Sequence, residues 1–423
     1  MAQQHDVFAR DEWRRGWPVV TASLAGITLC STHGYTIGVL IAPLEAAYGW
    51  SRAGITGGLL IISLFAVVAA PLAGRLADRV GARKVALAGV PLFCVAFGLL
   101  ATANGDIRQW WALWLLLAVG NMCILPTIWA SAINRLFDRN RGMALAFALC
   151  GTGLAAFILP PLTARLIIHF GWKGAVELLA AGGFAIVFPL TVFGFLSPVR
   201  AGAAEAPRVT PAQSAQSAGL LRGAFLSARF WKLMGASTVF SVTICALTTN
   251  AVPVLCGLGH SALAAADTAA LMGFGSITGR ICGGFLLDRL DAKKVAACSV
   301  AAPVITALLL LLAGSDRLVA SAACLILGLA IGAEVDACAY LAARHFGMKN
   351  FGTLFGAING LMLLGNGIAP FAANYVYDVT HSYAPVLWAQ IPTCLIAAAL
   401  FLSLRSYPER EADVADLPLP SPA

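Results

Sequence analysis

Long apolar runs separated by short polar segments dominate this chain. Twelve of the runs have about the 20 residues that a helix needs to cross the hydrocarbon core of a bilayer. They cover residues 17–41, 54–73, 85–103, 110–133, 142–164, 174–195, 230–256, 262–286, 294–313, 318–342, 352–376 and 385–404. The pattern therefore predicts an all-α integral membrane protein with twelve transmembrane helices.

The longest polar stretch divides the apolar runs into two sets of six. Residues 197–229 are rich in Ala, Pro, Ser and Gln, a composition typical of a flexible linker. We expect an N-terminal six-helix bundle over residues 1–196, a C-terminal six-helix bundle over residues 230–405 and a polar tail over residues 406–423. The segment before Trp17 lacks the short apolar core and the small-residue cleavage site of a signal peptide, so the first run is predicted as a retained span.

Composition supports a membrane protein and excludes several other classes. Of the 423 residues, 59% are hydrophobic and only 11% are charged, whereas soluble domains carry about 25% charged residues. The 11 cysteines form no CxxC or Cys/His cluster, so we predict no metal site and no disulfide framework. Because no catalytic constellation and no phosphate-binding loop are present, we also predict that the protein is not an enzyme and uses no cofactor.

The positions of Lys and Arg predict the orientation in the membrane. With the N-terminus placed in the cytoplasm, 22 of the 28 Lys and Arg residues fall in cytoplasmic segments and five fall on the opposite side. This bias follows the positive-inside rule and predicts that both termini are cytoplasmic. It also accounts for the net charge of +8 without nucleic acid as a partner. We expect a multi-pass monomer in the lipid bilayer of a cell membrane, the bacterial inner membrane.

An internal repeat links the two predicted bundles. Residues 74–85 read GRLADRVGARKV, and residues 284–295, which lie 210 positions later, read GFLLDRLDAKKV. A second similarity pairs Arg-Leu-Phe at residues 135–137 with Arg-His-Phe at residues 344–346. Both pairs fall in corresponding predicted loops of the two bundles. We infer a duplicated six-helix unit, which is the layout of many secondary transporters.

At the first of these loops the sequence resembles the major facilitator superfamily. The segment from Gly74 to Gly81 is similar to the family motif Gly-x-Leu-x-Asp-Arg-x-Gly between spans 2 and 3, although Ala82 occupies the first usual basic position and Asp291 replaces the last Gly in the second copy. The resemblance implies the major facilitator fold, with a gating role for the motif and for the matching loops. The alternative is a set of plain positively charged loops. The expected gating residues are Gly74, Asp78, Arg79, Asp288, Arg289, Arg135 and Arg141.

Within that superfamily the chain looks like the monocarboxylate porters and their bacterial relatives. Residues 135–146 are similar to the signature that follows span 4 in that group, and Arg280 matches an Arg of span 8 that binds the substrate carboxylate there. Ser276 stands four positions earlier, where the group often has an Asp. The similar oxalate/formate exchangers use a second cation in span 11. This span 11 has none, which favours a monocarboxylate.

Three charged residues lie deep in predicted spans, where charge is costly and usually faces the bundle interior or a wet cavity. They are Arg280 in span 8 and Glu334 and Asp336 in span 10. Counted from Asp288 and Arg344 at the span ends, Arg280 and Asp336 both lie about 12 Å deep. Arg280 is therefore expected to pair with Asp336 or Glu334. A substrate carboxylate that competes for Arg280 would release an acid, which then takes a proton. The alternative is a static structural pair.

Further polar residues in the spans are candidate substrate ligands, since spans 1, 4, 7 and 10 line the cavity in the families that the chain resembles. Each could instead form hydrogen bonds between helices, and the histidine among them could relay protons. These candidates are His33, Tyr35, Asn121, Asn250, Asn359 and Tyr340.

Taken together, the residues and the resemblance predict secondary active transport of a small monocarboxylate by proton symport with alternating access. The expected partners are the carboxylate, protons and the bilayer. Two alternatives stay open. One is an efflux or exchange porter of the same fold for other metabolites or amphipathic drugs, and the other is a non-transporting membrane sensor.

Overall fold

The structure is a computed structural model that describes residues 2–137, 140–195, 223, 225–312, 314–346 and 351–404. The side chains of residues 2–11, 70, 71, 78, 288, 335, 351 and 352 are outside this description. Most of the predicted linker, including all of 197–222, and the tail after residue 404 also lie outside it.

The described part of the chain consists of helices joined by short turns and contains no strand. Its helices form the spans of the molecule. Span 1 comprises Ala2–Cys30 and Thr32–Tyr48; span 2, Arg52–Val80; span 3, Ala82–Leu99 with the 3₁₀ turn Leu100–Thr102; span 4, Ile107–Met122 and Pro126–Leu136; spans 5 and 6, the helix Arg141–Gly194; span 7, Ala228–Thr249 and Ala251–Gly257; span 8, Ala262–Arg289; span 9, Ala292–Leu312; span 10, Arg317–Phe346; span 11, Phe351–Thr380; and span 12, Ala384–Leu402.

Spans 5 and 6 share one helical segment. Among the described residues, eleven segments are long and apolar enough to cross a membrane, and one of them, Arg141–Gly194, has 54 residues. Gly171 inside this segment has a φ of 70° and a ψ of 173°, a conformation that glycine adopts without steric cost. The gap at 165–173 between the predicted spans is therefore a turn at a single residue, and the twelve predicted spans are confirmed.

The repeated motif after span 2 is mostly helix and not loop, in contrast to the prediction from the sequence. Span 2 continues to Val80, and only Gly81, with a φ of 95°, separates it from span 3. In the second copy span 8 continues to Arg289, and the side chain of Asp291 accepts a hydrogen bond from the backbone N–H of Lys293 at 3.2 Å. The polar motif residues extend each helix past its apolar run, so hydrophobicity alone placed these ends too early.

Matching caps show the duplication in three dimensions. Ser51 and Ser261, which are 210 positions apart, each accept the backbone N–H three residues later, at the starts of spans 2 and 8. Asp106 and Asp316, again 210 positions apart, each accept the backbone N–H two residues later, at the starts of spans 4 and 10. Such side chains satisfy the free N–H groups at a helix start. The repeat therefore extends well beyond the loop motifs.

The spans form two six-helix halves, each with its own apolar core. Spans 1–6, the N-terminal half, contribute a buried cluster from residues 19–195. Spans 7–12, the C-terminal half, contribute a second cluster from residues 230–404, which also includes Val39 and Ala164. Between the halves, span 2 packs on span 11, span 5 on span 8 and span 1 on span 7. The site can therefore draw side chains from both halves.

The contacts between the halves differ along the membrane normal. We call the face with the start of span 1 and the end of span 12 the terminal face, and the opposite one the distal face. Asp378, Asn374 and Asp267 of the C-terminal half bond to spans 2 and 5 in the distal part of the molecule. Nearer the terminal face, a Cβ at Gly74 or Gly360 would have no neighbour within 4 Å. The hydrogen bonds of Asp378, Asn374 and Asp267 therefore join the halves on the distal side.

Glycines bring three helix backbones into direct contact. A Cβ at Gly332 of span 10 would overlap the backbone of Ser276 and Arg280 in span 8. On the other side of span 8, Gly273 meets the backbone of Gly153 in span 5, across the boundary between the halves. Small residues at helix interfaces allow this approach, and packing in a bilayer depends on it because lipid tails are as apolar as the side chains.

Replacing Gly332 with Ala tests the close approach of spans 8 and 10. The added methyl group would overlap fixed backbone, so we expect a loss of about 1–3 kcal/mol in the free energy of unfolding. Gly360→Ala is the matched control, because open space surrounds that helical position and Ala favours a helix by about 0.5–1 kcal/mol. Unfolding followed by tryptophan fluorescence in detergent should give opposite signs for the two variants. Equal shifts would contradict the assignment.

Candidate functional site

Arg280 is held at the centre of the molecule by the packing of span 8. The glycine contact with span 10 places its Cα directly beside that helix. Its side chain is 9% exposed and that of Asp336 is 31% exposed. Nη1 of Arg280 donates a hydrogen bond of 3.1 Å to Oδ1 of Asp336. Of the two pairings expected from the depth of the residues, the structure forms the one with Asp336.

The ion pair leaves much of the Arg280 guanidinium available. A guanidinium carries five N–H donors in a planar fork, and in the described structure only the bond to Asp336 is made. Such a fork can bind both oxygens of one carboxylate. Asp336 is the more exposed partner of the pair.

Glu334 lies in a different environment from Asp336. It is 2% exposed, and its Oε1 atom has no hydrogen-bond partner among the described residues. Ser237 and Cys245 of span 7 and Cys338 of its own helix lie in its surroundings. The two acids point away from each other, as their spacing of two residues on a helix requires. Glu334 thus faces span 7, whereas Asp336 faces Arg280.

The N-terminal half also contributes to this centre. The guanidinium of Arg280 lies within electrostatic range of the Tyr35 hydroxyl in span 1 and of the Cys150 thiol in span 5. Cys150 is within range of Asp336 as well. Tyr35 of the N-terminal half thus lies near Arg280 of the C-terminal half. The resulting central cluster consists of Arg280, Asp336, Glu334 and Tyr35.

The contacts of two predicted ligands lie inside the N-terminal half. The ring of His33 meets Phe93 at 6.3 Å and Trp114 at 6.2 Å between ring centroids, both edge to face, and its Nδ1 atom is buried without a partner among the described residues. Asn121 accepts a bond of 3.3 Å from the Cys30 thiol. Both residues link helices of one bundle.

The remaining predicted ligands also have surroundings of their own. Asn250 is fully buried and accepts a bond of 2.8 Å from Asn374. Tyr340 accepts two bonds from Arg344 near the terminal end of span 10. Asn359 is exposed on span 11, toward the terminal face. The structure does not bring these three into the central cluster.

The predicted gating residues are found on the terminal face. Arg141 donates a bond of 2.6 Å to Asn134, and the Arg289 guanidinium lies over the Phe285 ring at 4.1 Å. Arg79 and Arg135 are exposed, and open space surrounds Gly74. The side chains of Asp78 and Asp288 are outside the description.

Sequence reasoning missed a second polar cluster, on the distal face. Arg52 of span 2 contacts Tyr383 and the span 11 residues Tyr377 and Asp378. Because Arg52 stands at a span end, the sequence interpretation counted it only as a topology charge. A signal was present, since Asn374 and Asp378 share one face of span 11 at a spacing of four residues.

Comparison with known proteins places these observations in a family. The sequence matches the family model of the Major Facilitator Superfamily over residues 23–370 and 258–418. Monocarboxylate transporter 12 of Mus musculus is 24% identical over 399 residues, which cover 87% of this chain and 81% of that protein. Monocarboxylate transporter 13 of Bos taurus is 26% identical over 275 residues, 64% of this chain and 62% of that protein. The match to Monocarboxylate transporter 11 of Homo sapiens spans only 35% of its length.

Solved structures share the fold. A bacterial homologue of the human lysosomal transporter Spinster, in an inward-facing and unoccupied conformation, superposes with a TM-score of 0.74 at 17% identity and covers 92% of this chain and 96% of its own. The nucleoside transporter NupG, as a D323A mutant, gives a TM-score of 0.69 at 14% identity and covers 91% of this chain and 98% of its own. At these identities the likeness concerns the fold alone.

A double-mutant cycle on stability tests the ion pair. Asp336→Ala leaves the buried Arg280 without its partner, so we expect it to lower the free energy of unfolding by about 1–3 kcal/mol. The double variant with Arg280→Ala should lose less than the sum of the single losses. The same cycle at Arg165 and Asp267, an ion pair of 2.9 Å whose arginine side chain is 51% exposed, should give a coupling below about 1 kcal/mol. Additive losses at Arg280 and Asp336 would argue against an energetically meaningful pair.

Proposed function

Because the chain belongs to the major facilitator superfamily and is thus a membrane transporter, we propose that it carries a small monocarboxylate together with a proton by secondary active transport. The observation that carries this proposal is the central ion pair of Arg280 and Asp336. Relatives named monocarboxylate transporters, at 24% and 26% identity, favour the same class of substrate.

The single central cation sets the charge of the substrate. Arg280 is the positive group of the cluster, and its guanidinium has donors left for two carboxylate oxygens. One carboxylate is neutralised by one guanidinium. A second carboxylate on the same molecule would have no matching cation among the central cluster residues, and burying an unpaired charge is costly. These considerations favour a monocarboxylate over a dicarboxylate.

Charge balance couples the substrate to a proton. In the observed state the positive charge of Arg280 is neutralised by Asp336. When a substrate carboxylate binds Arg280, Asp336 loses its counter-ion. A charged carboxylate without a counter-ion is unfavourable in a poorly solvated site, so Asp336 binds a proton. Binding of one anion and one proton then leaves the net charge of the site unchanged. Coupling follows because either charge alone would be buried without compensation.

Glu334 is the second acid available for proton movement. It is buried, and one carboxyl oxygen lacks a partner, so a charge on it would be costly. We assign to it the role of a carboxyl that holds a proton between Asp336 and span 7. Tyr35, which comes from the opposite half, is assigned as a donor to the bound carboxylate.

The position of the cluster fits alternating access. Arg280, Asp336 and Glu334 belong to the C-terminal half, and Tyr35 belongs to the N-terminal half, so movement of one half against the other changes the access to the site. We propose that the terminal face is cytoplasmic, on the basis of its excess of Lys and Arg. The predicted gating residues on that face would then regulate opening to the cytoplasm.

Substrate binding by Arg280 can be tested by uptake of radiolabelled short-chain acids into proteoliposomes. Arg280→Ala should lower uptake by about 30-fold or more, as expected for the loss of about 2 kcal/mol from a charged pair. Arg280→Lys should restore only part of it, because an ammonium lacks the planar fork. Arg317→Ala, which removes an exposed cation at the start of span 10, is the control and should transport normally. Normal uptake by Arg280→Ala would exclude the assigned site.

Coupling to protons has a separate test. Asp336→Asn resembles the protonated acid, so it should keep exchange of internal for external substrate but lose the stimulation of net uptake by external acid. Glu334→Gln should show the same separation if Glu334 carries the proton and near-normal behaviour if it does not. Measurements of net uptake and of exchange at external pH 5.5–7.5, with the interior at pH 7.5, distinguish these outcomes. A wild-type protein that exchanges substrate but ignores the proton gradient would favour the exchange porter over the symporter.

A further inference from the structure

A carboxylate of one half caps a helix of the other half on the distal face. Oδ1 of Asp378 in span 11 accepts the backbone N–H of Arg52 at 3.0 Å, and Oδ2 accepts the backbone N–H of Ala53 at 2.9 Å. The first N–H groups of a helix lack partners within the helix and carry partial positive charge. Asp378 of the C-terminal half thus accepts the hydrogen bonds of two N–H groups at the start of span 2, which belongs to the N-terminal half.

The side chain of Arg52 joins the same two helices a second time. Its guanidinium carbon lies 3.7 Å from the ring centroid of Tyr377, and Nη1 donates to the Tyr383 hydroxyl at 3.3 Å. Nε donates to Glu45 of its own half at 3.0 Å. Arg52 is only 15% exposed, so these interactions are weakly screened by solvent. The guanidinium therefore ties span 1 and span 2 to spans 11 and 12.

Hydrogen bonds continue from Arg52 into the molecule. The Tyr383 hydroxyl donates to Oδ1 of Asn374 at 2.7 Å, and Nδ2 of Asn374 donates to Oδ1 of Asn250 at 2.8 Å and to Thr56 at 3.3 Å. Burial raises the pKa of Tyr383 to about 12, so its hydroxyl keeps its proton at physiological pH. Asn250 is the residue at which span 7 breaks. The network thus reaches the discontinuity of a central helix.

We propose that this network is the closing device of the distal face. Asp378, Arg52, Tyr383, Asn374 and Asn250 together hold spans 2, 7 and 11 in contact, and the distal face opens when Asp378 leaves the start of span 2. The device is independent of the substrate and goes beyond the proposed transport function. The ion pair of Arg165 and Asp267, which also joins the halves, is more exposed and holds them less strongly.

The strength of this network should set the share of molecules in which the distal face is closed. The network exists with the distal face closed, so weakening it should raise the share of molecules in which this face is open. Asp378→Asn is nearly isosteric and leaves an oxygen for one N–H group, but its amide nitrogen cannot accept the other. Tyr383→Phe removes only the hydroxyl that connects Arg52 with Asn374.

Hydrogen–deuterium exchange of the full chain in nanodiscs measures the cap directly. In Asp378→Asn, the peptide that spans Gly49 to Thr56 should exchange about tenfold faster, which corresponds to about 1.4 kcal/mol. The control is Asp106→Ala, which removes a capping carboxylate on the same face that bonds within one half. It should speed exchange at the start of span 4 and leave the start of span 2 unchanged.

Distances between spin labels measure the opening itself. A label carried by a keto amino acid at Ala47 and another at His381, both exposed and in opposite halves, report on the distal face without removal of the native cysteines. Asp378→Asn and Tyr383→Phe should both add a longer distance to the distribution, whereas Asp106→Ala should not. If Asp378→Asn fails to fold, Tyr383→Phe carries the test. Unchanged distances in folded variants, even with faster exchange, would overturn the proposal.

Discussion

Direct backbone contact between spans 8 and 10 is the constraint on which the central site depends. Gly332 has no side chain, so the backbone of span 8 at Arg280 can lie against it. In this arrangement the guanidinium lies 3.1 Å from Asp336 while most of its surface stays out of solvent. In a bilayer, where apolar surface gives no preference for protein over lipid, such close packing is what holds helices together. The same contact thus provides stability and positions the charge.

The two halves share the residues that cap their helices, but they do not share the charged residues of the central cluster. Caps at Ser51 and Ser261 recur 210 positions apart, so both halves start their helices in the same way. The charged centre does not recur, since Ala70 occupies the position equivalent to Arg280. Two similar scaffolds therefore enclose a site whose charge comes from one of them. Both partners of the ion pair lie in the C-terminal half, so a movement of the halves against each other would leave the pair intact.

Much of the architecture could be predicted, because its causes are local in the chain. Apolar runs gave the twelve spans, and residue depth gave the pairing of Arg280 with an acid of span 10. The depth of a residue in the membrane does not distinguish Asp336 from Glu334, because their depths differ by less than one helical turn. The directions of their side chains depend on how span 10 packs against its neighbours. The bonds of Asp378 to Arg52 join residues 326 positions apart, and each looks like an ordinary charge at a span end. The contacts of the His33 ring with Phe93 and Trp114 could not be predicted either, because these residues are far from His33 in the sequence.

The contact of Gly153 with Gly273 also has a mechanical consequence. Here the two halves meet backbone to backbone, as they also do where Gly38 meets Thr249 and where Gly367 meets Leu59. A rotation about the contact of Gly153 with Gly273 would have its pivot at this level. Gly273 lies 11 residues after the start of span 8 at Ala262 and 16 residues before its end at Arg289. The lever arms are therefore about 17 Å toward the distal face and about 24 Å toward the terminal face. For any given angle, the terminal ends of the helices sweep roughly one and a half times as far as the distal ends.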